Sequence, residues 1–141
     1  MATFTKFDCF TENLAEGIHN LSANTLKFAL TNTAPTANNS ILSNITQITA
    51  ENGYTAGGKA AALTSSVQTA GVYKLIIGDV VFTANGGNMG GLRYVVLYDD
   101  TPTSPADPLI AWFDYASSII LLTNETFTVD CDASAGILTI T

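Results

Sequence analysis

His19 is the only histidine in the chain, so any chemistry that needs an imidazole runs through it. A catalytic histidine works between a nucleophile and an orienting acid. Next to His19 stand Asn20, Leu21 and Ser22, and no G-x-S-x-G turn exists to present a serine nucleophile. A structural or surface histidine is therefore expected. One histidine and two distant cysteines, Cys9 and Cys131, do not supply the ligand spacing of a zinc site. No metal and no cofactor is expected.

Three further segments carry polar groups in suggestive patterns. Asp99-Asp100 pairs two carboxylates, the residue type that hydrolyses glycosides. Neighbours in a strand point to opposite faces, however, and this pair abuts Thr101-Pro102, so it reads as a turn initiator. Asp130 to Gly136 has a calcium-loop flavour, but its glycine is one place late and Thr141 stands where a bidentate glutamate belongs. It reads as a hairpin turn with acidic flanks. Asn85 to Gly91 is glycine-rich, lacks the GK[ST] ending of a phosphate loop and precedes a strand, so it reads as a flexible hairpin connection. Among the aromatics, Trp112 and Tyr115 are the candidates for stacking on a sugar ring, against the plainer reading that strand aromatics pack the core. No catalytic residue is assigned, and a non-enzymatic protein is expected.

The elements that must carry these residues follow from periodicity. Phe7, Phe10 and Leu14 recur at helical spacing and Gly17 supplies a stop, which predicts a short N-terminal helix over Phe7 to Glu16. Leu26, Phe28 and Leu30 alternate with Thr25, Lys27, Ala29 and Thr31, the pattern of a half-buried strand. Ile41 to Ile48 has room for one or two helical turns. From Ala60 on, strand follows strand: 60–66, 72–77, 80–84, 92–98, 109–115, 119–122, 126–132 and 137–141, each bounded by Gly, Pro, Asn or Asp. Leu92 to Tyr98 is apolar on both faces apart from Arg93 and should be central. The expected fold is an all-β antiparallel sandwich, jelly-roll or Ig-like, formed as a single domain over residues 1–141.

Composition narrows the partners. Charged residues make up 12 % of the chain against the ordinary ~25 %, so its surface is polar but nearly neutral and can be covered by another protein at small desolvation cost. The net charge is −7, and the five basic residues are scattered singly, which argues against nucleic acid and anionic membrane as partners. No basic segment followed by an apolar run marks a signal peptide, and no apolar stretch is long enough to span a membrane. Reduced thiols are expected at Cys9 and Cys131 on the same ground.

Two stretches then look familiar. One runs from His19 to Pro35 through Leu26-Lys27-Phe28-Ala29-Leu30-Thr31-Asn32-Thr33-Ala34-Pro35 and is continued by Ile48 to Gly58. The other runs from Arg93 to Tyr115 through Asp99-Asp100-Thr101-Pro102. Together they resemble a family of small virion proteins of tailed bacteriophages, in the same order over most of the chain. The resemblance implies a structural particle component assembled in the bacterial host cytoplasm. Capsid decoration (cement) is the favoured role, with the major capsid protein and other copies of the chain, as homodimer or homotrimer, for partners. A tail or head-completion component, or a carbohydrate-binding host-recognition domain, is the alternative.

The grip on such a partner is expected at the N-terminus. Ala2 to Phe10 carries Phe4, Phe7 and Phe10, and an exposed segment this aromatic would mark an interaction site. The competing expectation is that the segment lids an open end of the sandwich.

Overall fold

The computed structural model describes residues 2–141. Strand accounts for 47 % of the residues and helix for 8 %, and every strand pairing is antiparallel, which makes the fold all-β and sandwich-like with one short N-terminal helix. The chain opens with β1 (Thr3–Lys6) and α1 (Asp8–Ala15), then passes to β2 (Leu26–Thr31), a single 3-10 turn at Leu42–Asn44, and β3 (Lys59–Ala61). There follow β4 (Leu63–Thr69), β5 (Val72–Ile77), β6 (Val80–Thr83), β7 (Met89–Asp99), β8 (Leu109–Leu121), β9 (Thr126–Val129) and β10 (Leu138–Ile140). Five strands form one sheet in the order β1-β8-β7-β2-β3, three another as β10-β5-β4, and β6 pairs with β9.

Strand β7 lies between β8 and β2, the central position that its doubly apolar sequence requires. Leu92, Val95 and Leu97 enter the main core with Phe28, Leu30, Leu75, Phe82 and Leu138. Val96 and Tyr98 face the other way, into a smaller cluster with Phe7, Ala29, Ile45 and Leu109. The large sheet is therefore covered on both faces: by the smaller sheets on one, and on the other by the N-terminal segment and the long connection after β2. Close backbone approach fixes that connection. Gly58 has φ +73°, and a Cβ there would sit 1.8 Å from the Phe28 carbonyl oxygen.

Several elements depart from the sequence-based expectation. The segment before the helix is a strand, paired with β8 from Thr3↔Asp114 to Lys6↔Ala111. The stretch expected as one strand over 60–66 is split between two sheets, β3 in the large one and β4 in the smaller. The two strands expected over 109–115 and 119–122 form one long strand, interrupted where Ala116 takes a positive φ and the register with β7 shifts. The break between them is a bulge in β8. Neither expected hairpin exists at Asn85–Gly91 or Asp130–Gly136, because β6 and β7, like β9 and β10, belong to different sheets.

Candidate functional site

The three N-terminal phenylalanines have three different surroundings. Phe7 precedes the helix and is wholly buried, its ring 4.5 Å from that of Trp112. Its N–H donates to the Ile110 carbonyl, which anchors the start of α1 to the start of β8. Phe10 is buried in the main core. Phe4 alone remains on the surface, 43 % exposed on the edge strand β1, edge-on to Phe113 at 5.5 Å. Phe7 and Phe10 therefore cannot serve as a docking arm in the folded chain, and the lid reading is the one their burial fits. The physical reason is that the short helix straddles the end of the large sheet and places one aromatic on each side. Sequence alone assigned the whole segment one environment.

His19 is brought to Asp99. Imidazole Nδ1 lies 3.0 Å from Asp99 Oδ2, with both side chains fully removed from solvent. The same carboxylate accepts from Asn24 Nδ2 at 2.7 Å and, through Oδ1, from the Thr101 backbone N–H at 3.1 Å. That last bond is the turn-initiating role expected of Asp99, now joined by two side-chain partners from the connection between α1 and β2. Asp100 points elsewhere and pairs with Lys27 at 3.0 Å. The two carboxylates thus have separate partners and do not act on one point.

The other ring nitrogen is Nε2, and the Phe10 ring packs beside the imidazole with centroids 5.3 Å apart. Among the described residues Nε2 is the one buried side-chain nitrogen or oxygen without a hydrogen-bond partner. A histidine oriented by an acid is half of a triad. The other half would be a hydroxyl at Nε2. Both serines that line the adjoining groove of about 400 Å³ bond elsewhere, Ser66 to the Tyr73 hydroxyl and Ser22 to Asn20 Oδ1, each at 2.8 Å. What the arrangement does is mechanical: it fastens the 19–25 connection to the end of β7. Sequence reasoning missed it because the partners are far apart in the chain and no local pattern links them.

The other polar segments have local duties. Asp132 Oδ1 accepts from the Ser134 and Ala135 N–H groups at 2.7 and 2.8 Å, and these bonds hold its carboxyl below the usual carboxylate range. The glycine-rich connection is pinned, with Asn52 Nδ2 donating to the Asn88 carbonyl and the Thr123 N–H donating to Asn88 Oδ1. Among the described residues no cluster of three or more His, Cys, Asp or Glu is placed to hold a metal ion. No helix is long and apolar enough to cross a membrane.

The aromatic pair proposed for sugar stacking is divided by the sheet. Trp112 faces the smaller cluster beside Phe7, whereas Tyr115 faces the opposite side and packs edge-on to Phe127 at 5.1 Å. Alternation along β8 separates them, as it must for residues three apart in a strand. Tyr115 instead shares a cavity of about 440 Å³ with Phe113, Asp130 and Asp132. Burial and the nearby Cys131 and Asp130 raise its hydroxyl above the ordinary tyrosine range. Both thiols are unpaired, Cys131 in the core and Cys9 half-buried.

No family model matches the chain, and no curated protein or solved structure is found to be similar to it.

Proposed function

We propose that this chain is a non-enzymatic structural component of a tailed-bacteriophage virion, and specifically a decoration protein that stiffens the head by packing on the major capsid protein. The observation that carries the reading is the apolar end of the long β7–β8 ribbon. Ile120 is 59 % exposed near the end of β8, and Leu122, 54 % exposed, is the first residue after that strand. Two large apolar side chains are thus left uncovered, close together in the chain, where the ribbon ends. Covering such side chains is worth roughly 1.5–3 kcal/mol each. The charge-poor surface around them can be desolvated cheaply, and the resemblance of the His19–Pro35 and Arg93–Tyr115 stretches to phage virion proteins supplies the setting.

The test is direct imaging of particles from a phage that encodes the chain, together with particles carrying Ile120→Asp and Leu122→Asp. Density for the protein on the head, lost in the double variant while the free protein stays folded, supports the reading. Density confined to the tail, or none, overturns it in favour of a tail or head-completion component. A carbohydrate-binding domain is the second reading, and the cavity that joins Phe113 and Tyr115 to Asp130 favours it. Glycan binding lost in Tyr115→Ala but kept in Trp112→Ala would select it.

A further inference from the structure

The β4–β5 hairpin turns at Ala70 and Gly71, both at positive φ, so it is a two-residue connection of the tight type. The residues flanking such a turn, Thr69 and Val72, form a hydrogen-bonded pair. Alternation then makes Val67/Lys74 and Ser65/Ile76 the next bonded pairs. It follows that the N–H and C=O groups of Ser66 and Gln68 point away from β5, along the outer edge of the sheet. That edge is free: β4 has β5 for its only strand neighbour among the described residues.

Exposed edges are normally kept apart by charge, proline or brevity. The other edges of this protein follow that rule. β1 is four residues long and ends in Lys6, β3 is three residues long and begins with Lys59, and β10 is three residues long. β4 breaks it, with seven residues, no charge and no proline. It also carries Val67, 56 % exposed, next to its central residue.

The distribution of charge names the partner. All twelve acidic residues of this −7 chain lie outside residues 52–78. The two lysines inside that stretch are tied down, Lys59 Nζ to the Val81 carbonyl and Lys74 Nζ to the Ser134 carbonyl, each at 2.8 Å. Two copies of a strongly acidic chain repel each other least where they meet through this hairpin. An antiparallel edge is also its own complement under a two-fold axis, because its donors and acceptors alternate.

We infer that β4 is a homodimer interface, pairing antiparallel with β4 of a second copy about an axis at Val67. In this register Ser66 faces the partner's Gln68 and exchanges both backbone hydrogen bonds with it, and the symmetric pair does the same. The bulge at Thr64, where the β4–β5 register shifts, lies outside the paired centre. Val67 meets the partner's Val67 as a non-hydrogen-bonded pair with Cα atoms about 4.5 Å apart. The two three-stranded sheets then run on as one. The dimer is a property of the free chain, so it stands or falls separately from the particle reading.

Sedimentation equilibrium over roughly 1 μM to 1 mM protein tests it. The wild-type chain is expected to dimerise. Val67→Lys, which opposes two like charges across the axis, should weaken the dimer at least ~10-fold. Gln68→Pro removes an outward N–H and the side-chain bond from Gln68 Oε1 to the Gly71 N–H in the turn, but no backbone bond to β5, so it should weaken the dimer while the β4–β5 pairing, checked by circular dichroism, persists. A register test adds Val67→Cys in a Cys9→Ser background. Oxidised glutathione should cross-link it between chains, because the Cα spacing suits a disulfide, while Thr69→Cys should stay uncross-linked. A wild-type chain that remains monomeric throughout, or a dimer that survives both Val67→Lys and Gln68→Pro, overturns the inference. So does cross-linking at Thr69 in preference to Val67.

Discussion

His19 Nδ1 and Asp99 Oδ2 lie 3.0 Å apart with neither side chain reached by solvent, which makes this pair the most deeply placed polar contact between the 19–25 connection and the central strand. Asp99 also serves Asn24 and the Thr101 N–H, so its removal strands three donors at once. Breaking one partner out of a buried polar pair costs about 3–5 kcal/mol. Asp99→Ala is expected to lose stability in that range on urea unfolding, and Asp99→Asn less, because the amide oxygen still accepts. A loss under about 1 kcal/mol for Asp99→Ala would mean that water replaces the carboxylate and that the connection is not fastened here.

Phe7 and Phe4 separate core from surface within one short segment. Phe7→Ala empties a fully buried site against Trp112 and should cost about 3–5 kcal/mol. Phe4→Ala removes a half-exposed ring that touches Phe113 by its edge, and should cost about 1 kcal/mol or less. Thermal melts of the two variants compare them directly. Equal and small losses would restore the idea of a detachable N-terminal arm.

Much of this fold was written in local patterns. The helix announced itself in Phe10 and Leu14, which share its core-facing side while Phe7 precedes it and turns the other way, and the central place of β7 in a run that is apolar on both faces. Strand positions after Ala60 followed from the spacing of turn residues. Pairing was not legible. Nothing local says that Asn85–Gly91 crosses between sheets instead of closing a hairpin, because a glycine-rich turn permits both. β1 was missed for a related reason: four residues with one apolar side chain on the surface become a strand only because β8 offers an edge. The candidate site was legible in type and not in partnership. His19 and Asp99 were each read as structural, but their union depends on two connections meeting at the end of β7.

The two thiols should differ in reactivity from ordinary surface cysteines. Burial, with Asp79 and Asp130 nearby, pushes the Cys131 thiol up to about 11, and burial also raises Cys9. Thiolate is the reactive form, so at pH 8 only about one Cys131 in a thousand is poised to react. Alkylation of the folded chain without reductant is expected to leave Cys131 unlabelled and to modify Cys9 slowly. Both should label at once in denaturant. Rapid labelling of Cys131 in the folded state would show that the β9–β10 connection opens readily.

Arg93 and Asp114 provide the pH-dependent test. Arg93 Nε and Nη2 donate to the two carboxylate oxygens at 2.8 and 3.0 Å, and the Ala116 N–H adds a third bond at 2.8 Å. These bonds hold the Asp114 carboxyl below the usual carboxylate range and raise Arg93 in turn. A carboxyl lowered in the folded state contributes stability that is present above its unfolded value and is lost as pH falls through the folded one. The pair also sits where β8 leaves its regular register with β7, so it clamps the start of the bulge at Ala116. Asp114→Asn should therefore be less stable than wild type at neutral pH, with the gap closing as pH falls through about 4 and below. Both side chains are about one third exposed, so added salt should narrow the gap as well. Urea unfolding of both proteins across that range checks it. A gap that stays constant with pH would assign the loss to the backbone bond at Ala116 and not to the charge on Asp114.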